Sequence, residues 1–373
     1  MEFLKPLAEY YYFIYWLIVM VMTVSQFSAL RNKHGHIILT RQFDYRIITC
    51  FVIFYIIIFG FRPVSKYFGD MHIYRDGYEL LQNFGVFDLQ GTEERTSDVL
   101  FYAFQKVCAM TIDVHFWFAS IMFFYIWMMF AGCKKIDYRH GALLMLFCIG
   151  SFQFYTFSVN GIRNGAACSF AIMALACLSK EEKIWALVWS FIAIGFHKSV
   201  ALPVAVMFLT YYVRKPKYMY IVWLGAIVLS LSIGGYIDNL LSAISYDERL
   251  AGNLQANDAD GLVLEHRFRW DFLLYSSMPI LLGWYTIFKR QLFDKTYLIL
   301  FGTYIYANAF WVLAIRAIFS NRIAYLSWFI YPIVLAYPLL NFPVFKKNHS
   351  KKTAWILLGH FGFTTILWLL EKI

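Results

Sequence analysis

The stretch SVNGIRNGAACSF, Ser158 to Phe170, sets Asn160, Arg163 and Asn164 between two almost wholly apolar runs, with Gly161 and Gly165 on either side of the arginine. An arginine at such a boundary is costly unless it pairs, reaches water or snorkels. The residues after Gly165 are predicted to open a helix, and a guanidinium beside a helix N-terminus favours an anion such as phosphate. His197, in IGFHKSVALP, closes another apolar run and suits proton transfer. Two aspartates precede helical patterns. Asp70 has Tyr74 one turn on, and Asp98 opens DVLFYAF. Each would serve as a helix cap or as a carboxylate base. Arg267 and Arg269 in EHRFRW, with Arg316 and Arg322 in IRAIFSNRIAYL, place further cations beside apolar runs. Several arginines at such boundaries suggest binding of an anionic head group such as a pyrophosphate. The ordinary alternatives are caps for the acids, an interfacial role for the histidine and snorkelling for the arginines.

The elements that must hold these residues are membrane helices. The chain is 61% hydrophobic and 15% charged over 373 residues, more apolar surface than a soluble domain of this length can bury. A spanning helix needs about 20 apolar residues. Twelve segments are read on that measure: 8–30, 46–61, 101–131, 140–158, 164–179, 184–197, 199–213, 218–237, 271–288, 296–315, 322–341 and 354–371. The pair at 184–213 is short and closely joined, so one member is a candidate re-entrant segment. The fold class is therefore all-α, polytopic and integral to the membrane, read as one domain over 1–373 with long outer loops at 62–100 and 238–270. Tyr74, Tyr78 and Leu81 recur at helical spacing in the first of these, predicting an amphipathic helix at the membrane surface. The opening segment lacks a basic lead and a cleavage site, and reads as a retained anchor. The six cysteines are scattered and form no CxxC pair, so neither a disulfide framework nor a zinc site is indicated.

Charge orients the helices. Six short loops (31–46, 132–139, 179–183, 214–217, 288–295 and 345–352) hold 19 Lys/Arg against 5 Asp/Glu, and the rest of the chain holds 14 against 18. Short basic loops mark the cytoplasmic face. Threading twelve spans puts all six on that face and both long loops, with Arg163, His197, Arg316 and Arg322, on the other. The net charge of +10 is accounted for by orientation, with no nucleic-acid partner needed.

The order of GD with Tyr four residues after the Asp, DVLFY, NGIRNGAA, FHKS and NRIAY, between Gly69 and Tyr325, resembles the EpsG family of bacterial polysaccharide polymerases, grouped with the Wzy polymerases. That family usually shows Pro or Gly after the acid where this chain has Asp98-Val99. The resemblance implies an inner-membrane glycosyltransferase of the GT-C type. It would join repeat units carried on undecaprenyl pyrophosphate, on the periplasmic side, into O-antigen, capsule or exopolysaccharide. It also implies Asp70 as base, from its place in the first outer loop, with Asp98 and His197 as further catalytic candidates. Arg163, Asn160, Asn164, Tyr74, Arg267, Arg269, Arg316 and Arg322 become substrate-binding candidates. Membrane lipid, a chain-length regulator and a flippase of the same pathway are the implied partners. No HExxH motif is present, and metal-independent catalysis without a cofactor is expected. A lipid-linked oligosaccharide flippase would need charges along a path through the bilayer, and mid-span runs such as FVIFYIIIF lack them. A membrane acyltransferase with His197 as base would need an acyl-donor site that no motif supplies.

Overall fold

The computed structural model describes residues 4–32, 44–83, 98–244, 268–317 and 320–372. Its elements are helices: α1 Leu4–Arg31, α2 Tyr45–Gly60, α3 Met71–Gln82, α4 Val99–Thr111, α5 Val114–Ile136, α6 Gly141–Ile149, α7 Phe152–Val159, α8 Ile162–Ser179, α9 Lys183–Phe196, α10 Ala201–Tyr212, α11 Pro216–Ile244, α12 Trp270–Trp284, α13 Lys295–Leu313, α14 Ser320–Trp328, α15 Tyr331–Asn341 and α16 His349–Lys372. Runs such as FVIFYIII would favour strands in water. In a bilayer each backbone polar group must be satisfied within its own segment, and the same run becomes a helix. Two compact units form, one of Met1–Lys198 with Leu339–Ile373, the other of Ser199–Pro338.

Among the described residues six helical segments are long and apolar enough to cross a membrane: Leu7–Arg31, Val114–Ile136, Ile162–Ser179, Pro216–Gly234, Lys295–Leu313 and Ser320–Asn341. The number becomes seven if Gly141–Ile149 and Phe152–Val159, bent by 74° at Gly150-Ser151, are one broken span. The abrupt bend thus falls at 140–158. The segments read at 46–61, 184–197 and 199–213 form shorter apolar helices. The segment expected at 101–131 is two helices, since Ile112 is extended and the Asp113 carboxylate accepts the His115 N–H at 2.8 Å to start α5. The apolar runs on either side were read as one segment, which passed over the Asp113 cap between them.

In the first unit α8 is the central helix, 94% buried, packed against α5, α7 and α9. Gly165 permits its close approach to α7, because a Cβ there would lie 2.9 Å from that of Phe157. The expected amphipathic helix forms as α3, but its apolar face lies on protein: Tyr78 is fully buried and donates to the carbonyls of Cys108 and Ile112, each at 2.8 Å. The described residues at and beside the basic loops of this unit gather at one end. Tyr45 donates to the Tyr138 carbonyl, Lys135 pairs with Glu182 at 2.7 Å, Asn341 donates to Asp137, and Ser350 donates to the Leu30 carbonyl. Arg62, just past α2, and Arg163, in the first turn of α8, mark the opposite end of those helices.

The second unit is built on α10, α11, α12, α13 and α14. Buried polar pairs fix its core: Trp328 donates to the Ser276 hydroxyl at 2.7 Å, and Trp223 to the Asn308 amide oxygen at 2.9 Å. The second long loop lies mostly outside the described residues.

Candidate functional site

Helix α4 presents Asp98, Phe101, Tyr102 and Gln105 at spacings of three, four and seven residues, hence on one face. Asp98 stands at the α4 N-cap but its side chain makes no capping bond. It turns instead to distant segments. Arg163 Nη1 lies 2.8 Å from Asp98 Oδ2, His197 Nδ1 lies 3.3 Å from the same oxygen, and the Lys198 backbone N–H donates to Oδ1 at 2.9 Å. Arg163 Nη1 also donates to the Tyr102 hydroxyl at 3.0 Å, and the guanidinium sits over the rings of Phe101 and Tyr102. Asp98 is 2% exposed, Arg163 7% and the His197 side chain 18%. The cluster is a buried ion pair with a histidine at its accessible edge.

Burial alone would raise the Asp98 carboxyl. The His197 hydrogen bond and charge, then the Arg163 charge and the Lys198 N–H, outweigh it, and the group is held below its ordinary value. A carboxylate so stabilised takes up a proton reluctantly, which suits an anchor better than a base.

Next to this cluster the α2–α3 connection meets the α7–α8 junction. The Asp70 N–H donates to Asn160 Oδ1 at 3.0 Å. Gly69, at φ +67°, makes this approach possible, because a Cβ there would fall 2.4 Å from Asn160 Oδ1. Asp70 is the N-cap residue of α3, yet its exposed carboxylate makes no capping bond. Tyr74 is half-buried, its ring 6.1 Å from Phe101, and its carbonyl accepts from the Gln105 amide at 3.3 Å.

The first unit thus brings together Asp98, Arg163 and His197, with Tyr74 beside Phe101 and with Asp70 bonded to Asn160. Asn164 turns its amide oxygen to Cys168 Sγ at 3.2 Å. Arg269, Arg316 and Arg322 belong to the second unit. Arg269 forms a two-point pair with Asp271 and stacks on Phe272 at 3.6 Å, while Arg316 lies against Gly234 and 5.5 Å from the Phe268 ring. The Arg322 N–H is held by the Asn321 side chain. Arg267 lies outside the described residues. Tyr102 and Arg62 escaped the sequence reading. Tyr102 had a signal, one helical turn after Asp98; Arg62 looked like a loop opening.

The comparison with curated proteins returned no match, and neither did the comparison with solved structures. The model of the EpsG family matches residues 45–372. That interval takes in the whole Asp70, Asp98, Arg163 and His197 neighbourhood and most of the chain, and the chain belongs to the EpsG family, a family of Wzy-like polysaccharide polymerases.

Proposed function

We propose that this polysaccharide polymerase joins oligosaccharide repeat units carried on undecaprenyl pyrophosphate, and that the Asp98, Arg163 and His197 cluster is the heart of its reaction site. The single observation that carries this reading is the meeting of the three residues, from three separate segments, in one buried charged cluster. The gathering of described residues at and beside the basic loops of the first unit, at the other end of α2 and α8, supports placing the reaction on the extracytoplasmic side of a bacterial inner membrane. The twelve-span, GT-C-like architecture, with the product as O-antigen, capsule or exopolysaccharide, belongs to the same proposal, as do a chain-length regulator and a flippase as partners.

Each residue has a role in it. Joining two units forms one glycosidic bond, breaks the bond from sugar to pyrophosphate and moves one proton off the acceptor hydroxyl. Asp70 takes that proton; its carboxylate is exposed and carries no capping bond. Asp98 holds Arg163 and His197. Arg163 spends Nη1 on Asp98 and Tyr102, and its remaining N–H donors go to the leaving pyrophosphate. Asn160 holds the Asp70 backbone, Asn164 stands one residue after Arg163 on the first turn of α8, and Tyr74 borders the acceptor side. Arg267, Arg269, Arg316 and Arg322 contact the anionic or sugar part of substrate. A second reading makes His197 the base, since its Nδ1 contact with Asp98 is the arrangement that orients an imidazole for proton transfer.

Purified protein supplied with lipid-linked repeat units decides between the bases. Asp70→Asn abolishing the polymer ladder, with His197→Gln retaining it, supports Asp70. The reverse result transfers the role to His197. Transbilayer movement of the lipid without extension, or gain of an acyl group, overturns the polymerase site altogether.

A further inference from the structure

We infer that Arg62 is a positioning residue that locks the Asp70 loop to the segment carrying Arg163, an inference resting on the reading of that site given above. Arg62 follows α2 and is 1% exposed. Among the described residues no carboxylate pairs with it. Its partners are main-chain oxygens: Nη1 donates to the Phe59 carbonyl at 2.5 Å and Nη2 to the Val159 carbonyl at 3.2 Å. Phe59 lies in the last turn of α2 and Val159 ends α7. Carbonyls at helix C-termini lack helical partners and carry partial negative charge, so two helix ends balance the cation in place of an acid. Burial lowers the guanidinium to about 10, and it remains charged at neutral pH. Among the described residues Nε has no hydrogen-bond partner, and the fork across two carbonyls is what holds the side chain.

The position of that fork gives it a role. Val159 directly precedes Asn160, and Arg62 also stands 5.5 Å from the ring of Phe68, which directly precedes Gly69 and Asp70. Asn160 in turn accepts the Asp70 N–H. Arg62, Val159, Asn160, Asp70 and Phe68 therefore form a closed circuit, with Arg62 the member that touches both arms. Arg163 is three residues beyond Asn160 on one arm, and the proposed base is on the other. Lysine has one charged point and cannot span two carbonyls on separate helices as the planar guanidinium does. Misplacing a reacting group by about 1 Å can cost on the order of a hundredfold in rate.

The test joins the two arms chemically. In an otherwise cysteine-free chain, Asp70→Cys and Asn160→Cys are introduced together, which removes the Asn160 Oδ1 tie and leaves the Arg62 fork to hold the arms, and the rate of oxidative cross-linking is followed in membranes. Disulfide formation is sensitive to this separation, so Arg62→Met and Arg62→Lys should each slow it roughly tenfold, with the thermal unfolding midpoint measured alongside. If Arg62→Met does not accumulate as folded protein, Arg62→Lys decides. Cross-linking rates unchanged from the Arg62 parent overturn the inference. The companion readout is kinetic: Arg62→Lys in the native chain should lower kcat by about ten- to a hundredfold with KM for lipid-linked units little changed. A loss proportional only to the amount of folded protein would make Arg62 a core residue and nothing more. Cross-linking needs no turnover, so failure of the polymerase assay leaves its answer intact.

Discussion

Among the described residues of the first unit two aspartates are buried, each facing a histidine, and they are built differently. Asp137, at the C-terminus of α5, uses its oxygens locally: the N–H groups of Arg139 and His140 and the His140 ring, all within three residues, with Asn341 as the one distant partner. Asp98 draws Arg163, His197 and the Lys198 N–H from other segments, the last two 99 and 100 residues away. The His140 side chain is 3% exposed, whereas that of His197 is 18%. Asp137 closes a turn at the basic-loop end and is sealed. Asp98 assembles charges that no local turn requires and leaves an imidazole at the edge. The long-range pair that stays reachable is the one with the form of a reaction site.

The comparison breaks most severely at Arg163. Arg163→Ala leaves the Asp98 carboxylate buried without its cation, a change that costs about 3–5 kcal/mol when a buried pair is split. Thermal unfolding in detergent should show a large fall, and polymer should vanish. A wild-type unfolding midpoint would show that the pair bears no stability. Arg163→Lys sharpens the question. Lysine keeps the charge but not the two-point geometry, and a hydrogen bond to a charged group is worth roughly 1.5–3 kcal/mol, so activity per folded protein should fall about ten- to a hundredfold. Full activity would reduce Arg163 to an anchor at the helix start.

Tyr102→Phe comes next. It removes one hydroxyl from Arg163 and keeps the ring, so a loss of about three- to tenfold in activity is expected from a bond worth roughly 1 kcal/mol. No change would place Tyr102 outside the cluster. Asp137→Asn is the counterpart at the other end. It should lower the unfolding midpoint by a few degrees, from a loss of about 1–2 kcal/mol, and leave activity per folded protein unchanged. An activity loss as large as that of Arg163→Lys would erase the distinction between the two aspartates.

Much of this was legible in sequence, and what was missed has a physical cause. Residue type and boundary position singled out Asp98, Arg163 and His197, because charge beside an apolar run is costly wherever it stands. Their meeting was not legible. Periodicity says which residues share a face of one helix, as with Asp98 and Tyr102 on α4, but not which faces of α4, α8 and α9 meet. The break at Ile112-Asp113 was hidden for a related reason: hydropathy is blind to a cap inside an apolar run. Arg62 was passed over because its partners are carbonyls of Phe59 and Val159, and main-chain acceptors have no residue type to read. Arg269 shows the opposite case, a cation whose neighbour Asp271 was visible two residues away yet went unread as its partner.

The smallest expected effect uses acid. The Asp98 and Asp137 carboxyls are each held below their ordinary value of 3.8: burial opposes this, but the histidine contact and the other donors outweigh it. A depressed folded-state pKa means that each contributes stability fully present above the unfolded value and lost as pH falls through the folded one. The window therefore opens near pH 3.8 and extends below it. Arg163 keeps its charge throughout this window, so protonating Asp98 leaves a buried cation opposite a neutral acid. Protonating Asp137 leaves a histidine whose own turn can relax. Stability of the parent chain should thus decline as pH drops past 3.8. Asp98→Asn, which has no carboxyl to titrate there, should start from a lower midpoint and show a flatter acid slope. Asp137→Asn should flatten the slope less. Unfolding midpoints measured at intervals from pH 6 to pH 3 give the comparison directly. An acid slope in Asp98→Asn as steep as in the parent would mean that Asp98 is no more tightly held by its distant partners than Asp137 is by its turn.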